Sequence, residues 1–120
     1  MGSAAPVDVE ALAGVAAALQ REDCVLTQRL VDHGVSLLHQ GCRVLHHCHT
    51  GAIATGGVGT ALGVIGAAHA RGLLRHAWLD ETRPRLQGAA LSAWELGCLG
   101  VPCTVIVCLL YTSPSPRDRG

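Results

Sequence analysis

Two short stretches of this chain hold residues whose types and spacing could do chemistry. His46-His47-Cys48-His49-Thr50-Gly51 places a thiol among imidazoles, and Asp80-Glu81-Thr82-Arg83-Pro84-Arg85-Leu86-Gln87-Gly88 follows further along. The reactive form of cysteine is the thiolate, and a free thiol with a pKa of about 8.5 needs a nearby positive charge or helix N-terminus to reach it at neutral pH. His46, His47, His49 and the glycine-rich run after Cys48 could supply both, so Cys48 is the candidate catalytic residue. Gln87, in the first turn of an expected helix, could hydrogen-bond the hydroxyl groups of a ligand. Taken alone, a cysteine after a strand is more often inert core. For Glu81 and Arg83 the simplest expectation is an ion pair that fixes the loop. Trp94 and Glu95 read as core packing and a solvated charge.

Other chemistries fit less well. Alternation along a strand would put His47 and His49 on one face and His46 and Cys48 on the other. Each face then offers two ligands, fewer than zinc takes, and no Cys-x-x-Cys or second histidine pair completes a set. No metal site is expected. Gly51-Ala52-Ile53-Ala54-Thr55-Gly56-Gly57-Val58-Gly59-Thr60-Ala61-Leu62-Gly63 could turn backbone N–H groups toward a phosphate at a helix start. It lacks the Gly-Lys-Ser/Thr of a P-loop and the glycine spacing of a dinucleotide site. Small residues there would equally let helix and strand approach closely.

The elements that must position these residues follow from periodicity and punctuation. Pro6 can open a helix, and Ala11 to Gln20 is helical by propensity. A second helical stretch follows Arg21-Glu22-Asp23, with Leu26, Leu30, Gly34 and Leu37 as its apolar face and Gly41 as its stop; whether the two are one helix is open. Strands are expected over Arg43 to Cys48, His76 to Leu79 and Cys103 to Val107. Helices are expected from Thr60 to Arg71, closed by Gly72, and from Arg85 to Leu99, started by Pro84 and closed by Gly100. The second of these would bury Leu86, Ala90, Ala93 and Leu96. Helix followed by β-α-β-α-β, with right-handed crossovers, gives an α/β fold: a Rossmann-like parallel sheet preceded by an N-terminal helix or helices. Both chemical stretches then lie at the carboxyl ends of strands, where open α/β sheets bind ligands.

Composition sets the outer bounds. The chain has 120 residues and zero formal net charge. Its nine basic residues are all arginine and are scattered, so no basic stripe faces a nucleic-acid backbone. Trp78, Trp94 and Tyr111 are the only aromatic residues, too few for base stacking. No apolar run is long enough to span a bilayer and no signal peptide is visible, so a cytoplasmic protein is expected. Of the six cysteines, Cys42 and Cys48 flank one strand and Cys98, Cys103 and Cys108 lie around another; this is not the loop placement of a secreted disulfide scaffold, and reduced thiols are expected.

In this order, the histidine–cysteine stretch, the glycine-rich run, Glu81-Thr82-Arg83-Pro84, Leu86-Gln87-Gly88 and Ala93-Trp94-Glu95-Leu96 resemble the methylthioribose-1-phosphate isomerase family, relatives of the regulatory subunits of translation factor eIF2B. The resemblance runs from about Glu22 to Val107. It implies an aldose–ketose isomerase that converts 5-methylthioribose 1-phosphate to 5-methylthioribulose 1-phosphate in methionine salvage. Cys48 would be a catalytic residue and Gln87 a substrate-binding one, with no metal or organic cofactor. Its partner would be a small sugar phosphate, with no nucleic acid or membrane, and the full-length protein would be a homodimer. Two positions depart from the family: His49, where asparagine is usual, and Ala90, where arginine is usual. The neighbouring readings are a ribose-1,5-bisphosphate isomerase and a non-catalytic eIF2B-like regulatory or binding module.

The resemblance stops at Val107. The family continues with an aspartate, the second catalytic group; here that position is Cys108, and Thr112-Ser113-Pro114-Ser115-Pro116-Arg117-Asp118-Arg119-Gly120 is polar and proline-bearing. Residues 108–120 resemble a translated sequencing-adapter tail. The expected organisation is a helical segment over 1–41, a Rossmann-like catalytic-domain fragment over 42–107 and a non-native disordered tail over 108–120. The expected fragment is inactive as written.

Overall fold

The computed structural model describes residues 5–107; the expected tail lies outside the described residues. The two N-terminal helical stretches are one helix, α1, Val9–Ser36. It starts later than Pro6 suggests, because Asp8 takes the cap and its side chain accepts the N–H of Ala11 at 3.1 Å. It ends before Gly41, which forms a left-handed turn (φ 74°) ahead of the first strand instead. The buried face of α1 is also not the leucine face read from the sequence. Thr27, Val31 and Val35 are buried, while Leu26, Leu30 and Leu37 are exposed. The seat is chosen by α2, Ala61–Ala70. Val64 would meet any side chain added at Gly34, and Val31 fills the notch over Gly63, so the two helices pack through their small residues.

The sheet is parallel, in the order β1 (Cys42–His46), β2 (Leu74–Asp80), β3 (Cys103–Ile106). β1 is shorter at its carboxyl end than expected, so Cys48 lies in the following loop. β2 is longer at both ends and is the central strand; Leu74, Ala77 and Leu79 are buried in it. They join Leu62, Ile65 and Ala68 of α2 and Leu96 and Val101 in one apolar core. The expected third helix is broken. Leu86 has a left-handed backbone (φ 52°), a wide π-type turn spans Gly88–Ser92, and α3 proper is Ala93–Cys98. The wide turn adds a residue to the helical repeat and rotates the face. Ser92 and Leu96 therefore point inward, while Leu86, Ala90 and Trp94 are exposed. Trp94 is not a core residue. No helix among the described residues is long and apolar enough to cross a membrane.

One hydroxyl joins the two ends of the β1–α2 connection. Thr50 Oγ1 accepts the N–H of Leu62 at 2.9 Å, in the first turn of α2, and sits 2.8 Å from Nε2 of buried His46. The Thr50 carbonyl accepts the N–H of Thr60 at 2.8 Å. Gly59 closes this turn with φ 91°, and a Cβ there would stand 2.7 Å from both Gly51 Cα and Thr50 O. Burial, then the nearby His49 and His47, push the His46 pKa below its ordinary value of 6.5.

Two measurements check this account. Gly59→Ala should cost about 2–5 kcal/mol of stability, from left-handed strain plus a clash with backbone. Gly14→Ala, on an open stretch of α1 with nothing near a new Cβ, should add about 0.5–1 kcal/mol by helix propensity. Urea unfolding of both variants compares them. His46 also predicts an acid limb. Its folded pKa lies below its unfolded one, so its contribution is complete above the unfolded value of 6.5 and is lost as pH falls from there toward the folded value. His46→Gln should flatten the fall in unfolding midpoint below pH 6.5; an unchanged slope would contradict the buried neutral imidazole.

Candidate functional site

The carboxyl ends of β1 and β2 meet in a polar cluster, built on the β2 side by Glu81. Glu81 is nearly buried, and its Oε1 accepts the N–H groups of Thr82 at 3.0 Å and Gly88 at 2.9 Å, while Oε2 accepts that of Ala89 at 3.2 Å. The carboxylate thus caps the Gly88–Ser92 turn; it does not pair with Arg83, contrary to the sequence expectation. Three N–H donors otherwise without helical partners are more demanding than one exposed guanidinium. The loop is drawn back on itself, and Thr82 Oγ1 then accepts the N–H of Gln87 at 3.0 Å and donates to Gln87 Oε1 at 3.2 Å.

That geometry delivers Gln87 to Cys48. The Cys48 thiol donates to Gln87 Oε1 at 3.7 Å, a long contact suited to sulfur. Cys48 is exposed and its backbone is left-handed (φ 71°), a conformation that costs a non-glycine residue roughly 1–2 kcal/mol. Because β1 ends at His46, strand alternation does not arrange the histidines. His46 turns inward to Thr50. His47 Nδ1 sits 3.3 Å from Oδ2 of buried Asp80, which ends β2. The His49 side chain is 5% exposed, with Nδ1 3.3 Å from Ser92 Oγ and Nε2 3.7 Å from Glu95 Oε2. Among the described residues, no three potential metal ligands come together.

The glycine-rich run holds its shape through acids on other elements. Glu95 Oε1 accepts the N–H of Ala52 at 2.7 Å, and its carboxylate fills the space where a Gly51 side chain would be. Asp23 of α1 accepts the N–H of Gly56 at 2.6 Å. Glu95 is therefore not the solvated charge expected from the sequence. Several loop amides expected to face a ligand are instead taken by the protein: those of Ala52 and Gly56 by carboxylates, and that of Leu62 by Thr50.

The geometry brings Cys48 and Gln87 together across 39 residues of sequence. It also recruits Thr50, Asp80, Thr82, Ser92, Glu95 and Asp23, none of them assigned a role at the site from the sequence. Thr82 carried a local signal, a hydroxyl before a Pro-containing turn. Ser92 and Glu95, three apart on one helical segment, were a weaker one. Asp23 carried none.

Comparison with known proteins gives the family of this chain. The profile of the "Initiation factor 2 subunit family" matches residues 8–109. A methylthioribose-1-phosphate isomerase of Synechococcus sp. (strain CC9605) is 94% identical over 107 residues, which is 89% of this chain and 32% of that protein. The 5-methylthioribose 1-phosphate isomerase structure from Pyrococcus horikoshii OT3 superposes with TM-score 0.69 at 41% identity, covering 73% of this chain and 24% of that one. The delta subunit of translation initiation factor eIF-2B from A. fulgidus superposes nearly as well, with TM-score 0.68 at 38% identity, over 73% of this chain and 26% of that one. The chain spans about a third of the length of the curated relative it matches at 94% identity. It belongs to the initiation factor 2 subunit family.

Proposed function

We propose that this chain is the portion of a methylthioribose-1-phosphate isomerase that supplies the reacting thiol, Cys48, and a substrate-binding amide, Gln87. The observation that carries the reading is their contact at 3.7 Å, on a loop held by buried side chains, at the carboxyl edge of a parallel sheet. The relatives' identity supports the same substrate, 5-methylthioribose 1-phosphate. Moving hydrogen between C1 and C2 of the opened sugar takes two acid–base groups within reach of the reacting carbons. Cys48 is one. The other is the carboxylate that the family places after the third strand, the position of Cys108 here. Since Ile106 pairs with Asp80 and its carbonyl accepts the N–H of Glu81, the chain leaves β3 beside the loop that carries Gln87. No metal or organic cofactor enters this scheme.

On this reading residues 42–107 form the catalytic-domain portion and residues 1–41 a helical lead-in. The full-length protein is a cytoplasmic homodimer that binds a small sugar phosphate and no nucleic acid. The exposed Leu12, Val15, Leu19 and Leu26 along α1 support further packing partners for that helix. The near-equal superposition on an eIF-2B subunit favours a second reading, a non-catalytic binding module. That reading leaves the Cys48–Gln87 contact without a use.

A graft decides between them. Residues 8–107 are placed in the Synechococcus sp. (strain CC9605) relative in exchange for its matching segment. The graft should isomerise 5-methylthioribose 1-phosphate in preference to ribose 1,5-bisphosphate, and Cys48→Ala should lower kcat by roughly 10²–10⁴-fold. A folded graft without turnover would favour the binding module, and a preference for the bisphosphate would overturn the substrate. The 120-residue chain itself should not turn over. In it, iodoacetamide should label exposed Cys48 faster than Cys103, whose pKa burial pushes up.

A further inference from the structure

A buried polar chain runs beneath Cys48. Ser92, fully buried, donates its hydroxyl hydrogen to the Cys48 carbonyl at 3.3 Å. With that hydrogen committed, Ser92 Oγ can only accept from His49 Nδ1, also at 3.3 Å. His49 therefore carries a proton on Nδ1, while its Nε2 faces Glu95 Oε2, a contact that holds as an ion pair when Nε2 is protonated as well. These two atoms are 3.7 Å apart, within ion-pair range but beyond a hydrogen bond, and both are sealed from solvent without a hydrogen-bond partner. Glu95 is fixed at its other oxygen by the Ala52 N–H at 2.7 Å. Gly51 leaves the space its carboxylate occupies.

The far end of this chain is the residue that most needs support. Cys48 is held at φ 71°, and a strained backbone persists only where surrounding groups over-determine it. If the carbonyl of Cys48 were released, its backbone would relax toward negative φ and carry the thiol away from Gln87 Oε1. We infer that Glu95, acting through His49 and Ser92, is a positioning residue that holds Cys48 in register with Gln87. The inference rests on reading Cys48 as the reacting thiol. It couples a half-buried acid on α3 to the contact between Cys48 and Gln87.

The coupling is measurable in the 120-residue chain without turnover, so it stands or falls separately from the isomerase assay. The rate of Cys48 alkylation by iodoacetamide is measured by peptide mapping, with and without Gln87→Ala, in four backgrounds: unchanged, Ser92→Ala, Glu95→Ala and Glu95→Gln. Cys103 labelling and far-ultraviolet circular dichroism report folding. In the unchanged chain Gln87→Ala should alter the Cys48 rate about threefold or more, the loss of one weak hydrogen bond. In Ser92→Ala and Glu95→Ala it should alter the rate less than 1.5-fold, roughly the limit at which a double-mutant cycle reports no coupling. Glu95→Gln keeps the Ala52 bond and offers an amide N–H to His49 Nε2, so it should retain the threefold effect. If Ser92→Ala unfolds the chain, the comparison of Glu95→Ala with Glu95→Gln carries the test. An equal effect of Gln87→Ala in every folded background, including no effect in any, overturns the inference. So does identical behaviour of the two Glu95 variants.

Discussion

Both carboxylate oxygens of Glu81 are spent on backbone N–H groups. Thr82, Gly88 and Ala89 converge on one nearly buried side chain at the end of β2. These donors belong to a loop and the first turn of a helical segment, where no carbonyl of the helix can reach them. Leaving a buried donor unmade costs about 1–3 kcal/mol, so the loop has few alternatives to wrapping around the carboxylate. Wrapping fixes the path from Thr82 to Gly88 and sets Gln87 against Thr82. The encounter of Gln87 with Cys48 follows from that path.

The same physics recurs on the other side of the site. Glu95 gathers the Ala52 amide and Asp23 the Gly56 amide, so acids from α3 and α1 hold the first half of the glycine-rich run. A side chain at Gly51 would displace the Glu95 carboxylate, which lies where it would go. The run is therefore shaped chiefly by the protein's own anions. Drawing such acids partly out of water is tolerable only because each is hydrogen-bonded. The exception is the facing pair of His49 Nε2 and Glu95 Oε2, where a conformationally strained cysteine lies two hydrogen bonds away.

The frame itself does not choose a chemistry. An isomerase and an initiation-factor subunit superpose on it almost equally well. What separates the readings is the content of two loops: a thiol with a left-handed backbone on one, an amide held by a threonine on the other.

The sequence by itself determined the order of elements, the parallel sheet and the nearness of the two loops. Apolar runs, glycine stops and the carboxyl-end rule act over a few residues and depend little on what surrounds them. It also singled out Cys48 and Gln87, through motif order. Tertiary structure decided which face of α1 is buried, because Gly34 and Gly63 admit close approach only on the Thr27–Val31–Val35 side. It decided that the last helix begins with a wide turn, which sends Trp94 outward and Ser92 inward. It made Glu81 a cap and Glu95 a half-buried clamp, roles set by amides seven and 43 residues away. A carboxylate reads the same in a sequence whether it meets water or a backbone amide. Only the fold brings the amide to it.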